Sequence, residues 1–471
     1  MTHSLRFAAL ATALAALAAA CHGAATPPKV GGAVVTPNPP REELNRVVER
    51  YWEAYLAQNP MIATADGDHR YDDRLGKLLT PQGLADALAL EKQALQALLA
   101  VPLPPANTAA RRSYELFKRQ RESAIEGYTY PEELFPVNPY AGVAQEFASM
   151  GADDGPQPFR STQDYEDWLA RSTAFAQWAE SAIENLRSGM RRGYLLPQSL
   201  VSDTLPQLAA LGADTPANPF YRPLDRMPAS IAGREREQLA QRLGSAIKTE
   251  ILPAYRGLHD FLATEYLPLA PVEGGMSRLP LGEAWYAYRV RKFTEASLTP
   301  AEVHKIGLAA VERAHARLRT ALNDVGFTGD ARAYLDALRR DPRYARPAVD
   351  VLSDYRDLLP RAWAAAPGVL ADPAQNPVEF RSSELFLAAT APAANYRGAT
   401  ADGAFPAVLF VDTQNPEAFA DIDAEGLLLR NVVPGLGSQV QLQRSLAALP
   451  AFRRFGTEPA YAQGWALYAE T

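Results

Sequence analysis

From Arg41 onward the apolar residues recur at the spacing of one helix face, and that periodicity governs what the chain can become. Leu44, Val47, Val48, Tyr51, Trp52, Tyr55 and Leu56 fall at i, i+3, i+4 and i+7, a stripe that needs burial against other elements. Thr80-Pro81 and Thr299-Pro300 each set an N-cap hydroxyl before a first-turn proline, and Glu302 completes a capping box with Thr299. The helix that follows carries Val303, Ile306, Val311, Leu318 and Leu322 on one side. Residues 161–190 predict a long amphipathic helix with Tyr165, Trp168, Leu169 and Trp178 facing inward. Strand-like sequence is confined to 407–411 and, more weakly, 380–387. No internal repeat interrupts this pattern. The expectation is a mainly α fold, a large helical scaffold with a small β-sheet in its C-terminal third.

The 471 residues are enough for a large core and more than one lobe. With 47 Lys and Arg against 54 Asp and Glu, the chain lacks the basic excess of a nucleic-acid binder. One cysteine, Cys21, excludes an intrachain disulfide framework and any cysteine-based zinc or iron–sulfur site. It follows a basic residue, Arg6, and an apolar run over 7–20, too short to span a bilayer at about 20 residues. Ala18-Ala19-Ala20-Cys21 resembles the lipobox of bacterial lipoproteins. On that reading residues 1–20 are a signal peptide, Cys21 is lipidated, and 21–41 form a Pro/Gly-rich tether to the helical domain at 42–471. His22 after the cysteine then favours the outer membrane, facing the periplasm. An ordinary Ala-x-Ala cleavage site beside a cysteine is the alternative.

Searching for chemistry by residue type gives little. A cysteine-free zinc site needs histidines, and no pair among His3, His22, His69, His259, His304 and His315 has H-E-x-x-H spacing. His304 and His315 share a helix face but stand roughly 16 Å apart at 1.5 Å per residue. There is no G-x-S-x-G elbow, no phosphate-binding loop and no dinucleotide fingerprint. Ser245-Ala246-Ile247-Lys248 spells S-x-x-K without its companion motifs, in a charged helical stretch. The Arg191-Arg192 and Arg339-Arg340 pairs read as solvated helix ends.

The C-terminal stretch is the informative one. It carries Val433-Pro434-Gly435, then 449–455 (LPAFRRF), then Gly464-Trp465-Ala466-Leu467-Tyr468-Ala469-Glu470. These resemble the bacterial family called domain of unknown function (DUF) 885, helical gluzincin-like proteins described as candidate zinc metallopeptidases, many of them secreted or lipoproteins. The stretches 67–74 (GDHRYDDR), 164–171 (DYEDWLAR), 265–268 (EYLP) and 279–286 (LPLGEAWY) are similar to the family as well, so the resemblance runs from about Glu42 to the end.

The family motif is H-E-x-x-P-G-H-x-x-Q followed by E-G-W-A-L-Y-A-E. The resemblance implies two histidines and the later Glu as zinc ligands, with the first Glu as general base on the metal-bound water. In this chain those positions are Arg430, Leu436, Gln463 and Asn431, and only the final Gln survives, as Gln439. A guanidinium has no lone pair to give zinc, an Asn amide takes no proton, Leu has no ligand atom, and Gln replaces an anionic donor. The resemblance therefore implies a scaffold without zinc or catalysis, whose groove still receives a peptide or protein partner. Arg278, Tyr286 and Tyr288 are candidates for such contacts, with core aromatics and a surface Arg as the structural alternative. Two other readings stand beside it: an active zinc peptidase using Asp421, Asp423, Glu425 or Glu470 with a distant histidine, and a truncated product, since the chain stops at Thr471 inside the helix signature.

Overall fold

The first apolar stripe closes as its spacing requires. In the computed structural model, which describes residues 39–76, 79–152, 155–340, 348–370, 377–387, 392–413 and 424–470, the helix Pro39–Gln58 buries Leu44, Val48, Tyr51, Trp52 and Leu56. It packs on helices Pro81–Leu99 and Ala109–Gly127, whose N-caps are the Thr80 and Thr108 hydroxyls. Cys21, the expected signal peptide and nearly all of the expected tether lie outside the described residues, as do His3, His22, Asp421, Asp423 and Thr471. Among the described residues no helix is long and apolar enough to cross a membrane.

The largest core surrounds the 31-residue helix Thr162–Arg192. Ser161 and Asp164 form its capping box, and Gly193 ends it in the left-handed conformation at φ 79°. Tyr165, Trp168, Phe175 and Trp178 are buried; Leu169 is half-buried at the margin. Phe147 stacks on Trp168 and Phe175 at 4.7 and 4.4 Å between centroids. The helical run from Gly233 to Tyr266 passes through two π-helical segments, Ile247–Ile251 and Leu262–Tyr266. The first lies just before Pro253, whose missing N–H and bulky ring need a wider preceding turn.

Arg171 joins two of the stretches that carry the family resemblance. Its side chain is fully buried and donates to the Arg74 carbonyl at 2.7 Å, the Tyr71 carbonyl and Thr64 Oγ1 at 2.9 Å, and Gln157 Oε1 at 2.5 Å. Asp72, 3.7 Å away, supplies the countercharge.

The sheet has three strands, β1 (Val378–Ser382), β2 (Ala394–Arg397) and β3 (Ala407–Val411), in the order β1-β3-β2. β3 pairs parallel with β1 and antiparallel with β2. As the central strand it buries Ala407, Val408 and Leu409 completely, which accounts for its uninterrupted apolar sequence. Helices Ala348–Ala365 and Ala424–Asn431 complete this core. The weaker strand candidate, 380–387, is extended only in its first half. After Ser383 donates to the Val411 carbonyl the chain turns into a 3₁₀ segment, Leu385–Leu387, and Phe386 enters the large helical core.

Helix Pro300–Asp324 has the anticipated capping box, yet only Leu322 is buried. Ile306 and Val311, set on its apolar side by the sequence, are 54% and 53% exposed. The sequence periodicity is present, but among the described residues no neighbour covers that face along its length.

Candidate functional site at the C-terminal helices

A cavity of about 640 Å³ opens between helix Ala109–Gly127 and the helices Leu436–Ser445, Ala451–Phe455 and Pro459–Glu470. Three of the five motif positions, Leu436, Gln439 and Gln463, line it together with Trp465. The approach to it is built by close backbone packing. A Cβ on Gly435 would sit 2.0 Å from the Arg430 carbonyl oxygen and 2.3 Å from that of Leu429, so only glycine fits. Trp465 Nε1 donates to the Pro434 carbonyl at 2.8 Å, fastening the last helix to this turn.

The other two positions do not line it. Arg430 pairs with Glu470 at 2.9 Å, and the Asn431 amide donates to the Leu427 carbonyl of its own helix. Gln439 donates to Gln443 at 2.5 Å, and Gln443 donates to the carbonyls of Arg453 and Gly456, both at 2.7 Å. The zinc implied by the sequence resemblance does not fit these residues: their atoms are a guanidinium, two amides already bonded, an alkyl chain and an exposed amide. Among the described residues no three His, Cys, Asp or Glu side chains stand close enough to hold a metal ion. Glu425 is exposed, and Glu470 is engaged by Arg430.

The charged chemistry of the cavity comes from elsewhere. Arg119 reaches Glu295 at 3.2 Å and Glu458 at 3.0 Å, and Gln120 donates to the same Glu458. Burial, then the hydrogen bond and charge of Glu295, pushes the Glu458 carboxyl up to about 7. The opposite wall is apolar, with Leu442, Leu446, Leu449 and Phe452.

The profile of the family described as "Bacterial protein of unknown function (DUF885)" matches residues 60–471. The chain belongs to the DUF885 family. Two solved structures are similar to it, named "putative lipoprotein" from Colwellia psychrerythraea and "putative lipoprotein of unknown function" from Shewanella oneidensis. The first is 19% identical with a TM-score of 0.80, over 92% of this chain and 77% of the other. The second is 15% identical with a TM-score of 0.59, over 91% and 76%. At such identities the likeness is one of fold. Comparison with curated proteins finds no match.

In this DUF885 member the three proposed groove residues stand apart from the cavity. Tyr288 is 1% exposed, stacks on Tyr130 at 5.2 Å and donates to the Ser123 carbonyl at 3.0 Å. Arg278 is exposed and pairs with Glu273, and Tyr286 is exposed on helix Gly282–Thr294. The residues that sequence reading passed over, Arg119, Glu295 and Glu458, lie far apart in the chain and in no motif. His69 gave no signal beyond its place in a family-like stretch.

Proposed function

We propose that this protein is a non-catalytic, metallopeptidase-like lipoprotein that binds a short peptide segment in the cavity at the C-terminal helices. The observation carrying this reading is that Leu436, Gln439 and Gln463, the positions where the family motif places ligand or polar side chains, still wall a cavity of peptide-sized volume while bearing no metal donor set. The apolar Leu442–Leu446 side would take side chains, and the Glu295–Glu458 pair with Arg119 would meet backbone or terminal polar groups. The Ala18-Ala19-Ala20-Cys21 sequence and the names of the two similar structures support a lipid anchor in the bacterial envelope, and His22 after the cysteine is what favours the outer membrane, facing the periplasm, in this reading.

The test is calorimetric titration of short peptides into the mature protein with Cys21 replaced, beside Leu442→Glu. Saturable binding that the substitution weakens at least tenfold supports the groove. Binding indifferent to Leu442, or none at all, removes it. Chelator-sensitive peptide hydrolysis would restore the enzymatic reading.

A further inference from the structure

We propose that the turn at Gly67–Tyr71 and the β2–β3 loop, residues 398–406, form a proton-operated clasp that holds one wall of the cavity, tight in mildly acidic conditions and loosened as pH rises through neutrality. It rests on the reading of that cavity as a binding site, whose access it would regulate.

The decisive geometry is at His69. Its Nδ1 lies 2.8 Å from Asp72 Oδ2 and its Nε2 lies 3.2 Å from Asp402 Oδ2, across 333 residues of sequence. Ionised carboxylates only accept, so both ring nitrogens must donate, and only the imidazolium can do so. A neutral ring keeps one of the two bonds and points a lone pair at the other carboxylate. Asp72 is 2% exposed and held by Thr64 and Arg171, whereas Asp402 is 29% exposed on a surface loop. Loss of the proton therefore releases the Asp402 side.

Three further contacts sew the same segments together. Ala401 N donates to the Asp66 carbonyl at 2.9 Å. The Asp66 carboxylate pairs with Arg444 at 2.6 Å, and Arg444 also donates to the Ala399 carbonyl. Gly398 and Arg444 both line the cavity, so the clasp and the cavity share a wall. The approach is close enough that a Cβ on Gly67 would stand 2.8 Å from Asp402 Oδ1.

The Asp72 hydrogen bond, with Asp402 adding to it against burial, holds His69 above its ordinary 6.5, and burial pushes Asp66 up to about 6 despite Arg444. The imidazolium is the form that bonds both carboxylates, so closure is favoured below His69's ordinary 6.5 and loses support as pH rises through its raised value, while Asp66, when protonated, gives up its charge on Arg444 but keeps its backbone bond to Ala401. Arg70 holds Asp68 below its usual value, and hydrogen bonds from Thr400, Ala404 and His69 outweigh burial to do the same for Asp402. Arg70 is tied to Asp68 and Glu53, Arg74 to Asp73, and Arg171 stays cationic beneath Asp72.

The experiment is amide hydrogen exchange on the full mature chain without ligand, between pH 5.5 and 8, corrected for intrinsic exchange. Protection over 398–405 should fall about tenfold across that range, while the Thr162–Arg192 helix stays constant. His69→Gln and Asp402→Asn should show low protection with no pH step; Asp402→Asn leaves the buried Asp72–Arg171 pair intact, so its fold is secure. His69→Lys, a permanent cation, should keep the loop protected at both ends of the range. Protection independent of pH in the wild type, or a pH step surviving in Asp402→Asn, overturns the clasp. Because no peptide is present, failure of the groove reading leaves these results unaffected.

Discussion

Single side chains in this protein carry consequences out of proportion to their number. Arg171 satisfies two carbonyls, Thr64 and Gln157, and offsets the Asp72 charge from a fully buried position. Arg171→Met keeps the volume but strands that carboxylate, so a loss of about 3 kcal/mol in urea unfolding is expected; a loss below about 1 kcal/mol would mean that His69 alone balances Asp72. Glu458 makes a pH prediction. Its carboxyl is raised to about 7, so the stability it permits is full below about pH 4.5 and declines as pH rises through 7. The neutral mimic Glu458→Gln should remove that decline. Allowing for partial exposure, the wild type should lose on the order of 1 kcal/mol relative to the variant between pH 5 and 8, read as diverging melting temperatures. Residue-level chemistry was the least legible part of the sequence. Arg171 stood inside a recognisable stretch, but Glu295, Glu458 and Asp402 acquire their roles from neighbours remote in the chain, which no local pattern encodes.

At the level of elements the sequence was far more explicit, because caps and periodicity are local. Thr299 with Glu302, Ser161 with Asp164 and the all-apolar Ala407–Val411 each specify their element from within a few residues. What periodicity leaves open is whether a face finds a partner. Helix Pro300–Asp324 shows this: Ile306 and Val311 repeat at helical spacing yet face outward. Ile306→Glu and Val311→Glu should each change unfolding free energy by less than about 0.5 kcal/mol, as exposed substitutions do. A loss of 2 kcal/mol or more, on the scale of a buried apolar deletion, would show that the face is covered in solution. The weaker strand candidate erred for a related reason, since Phe386 packs better in the helical core than it would in an extended β1.

Across the whole molecule the cores are joined by a few long-range insertions. Phe452, 3% exposed, packs edge-on against Phe117 at 5.1 Å and completes the N-terminal core, while Phe455 stacks on Trp52 at 6.5 Å. Phe452→Ala should cost about 3 kcal/mol and lower the stability of the N-terminal helices as much as that of the C-terminal ones. Exhaustive chelation should leave the melting temperature of the purified protein unchanged; a fall on chelation, restored by zinc, would reveal ligands outside the residues discussed. The Phe452 insertion also sets the order of assembly. The bond from Ala451 N to Glu49 spans 402 residues, and closing a loop of that length costs about 5 kcal/mol in chain entropy before its contacts return anything. The N-terminal helices described here are thus among the last to be completed. The N-terminal core is finished only when Phe452 arrives, and in refolding the fluorescence of Trp52 should settle after that of Trp168 and Trp178, at a rate set by chain topology rather than by helix formation.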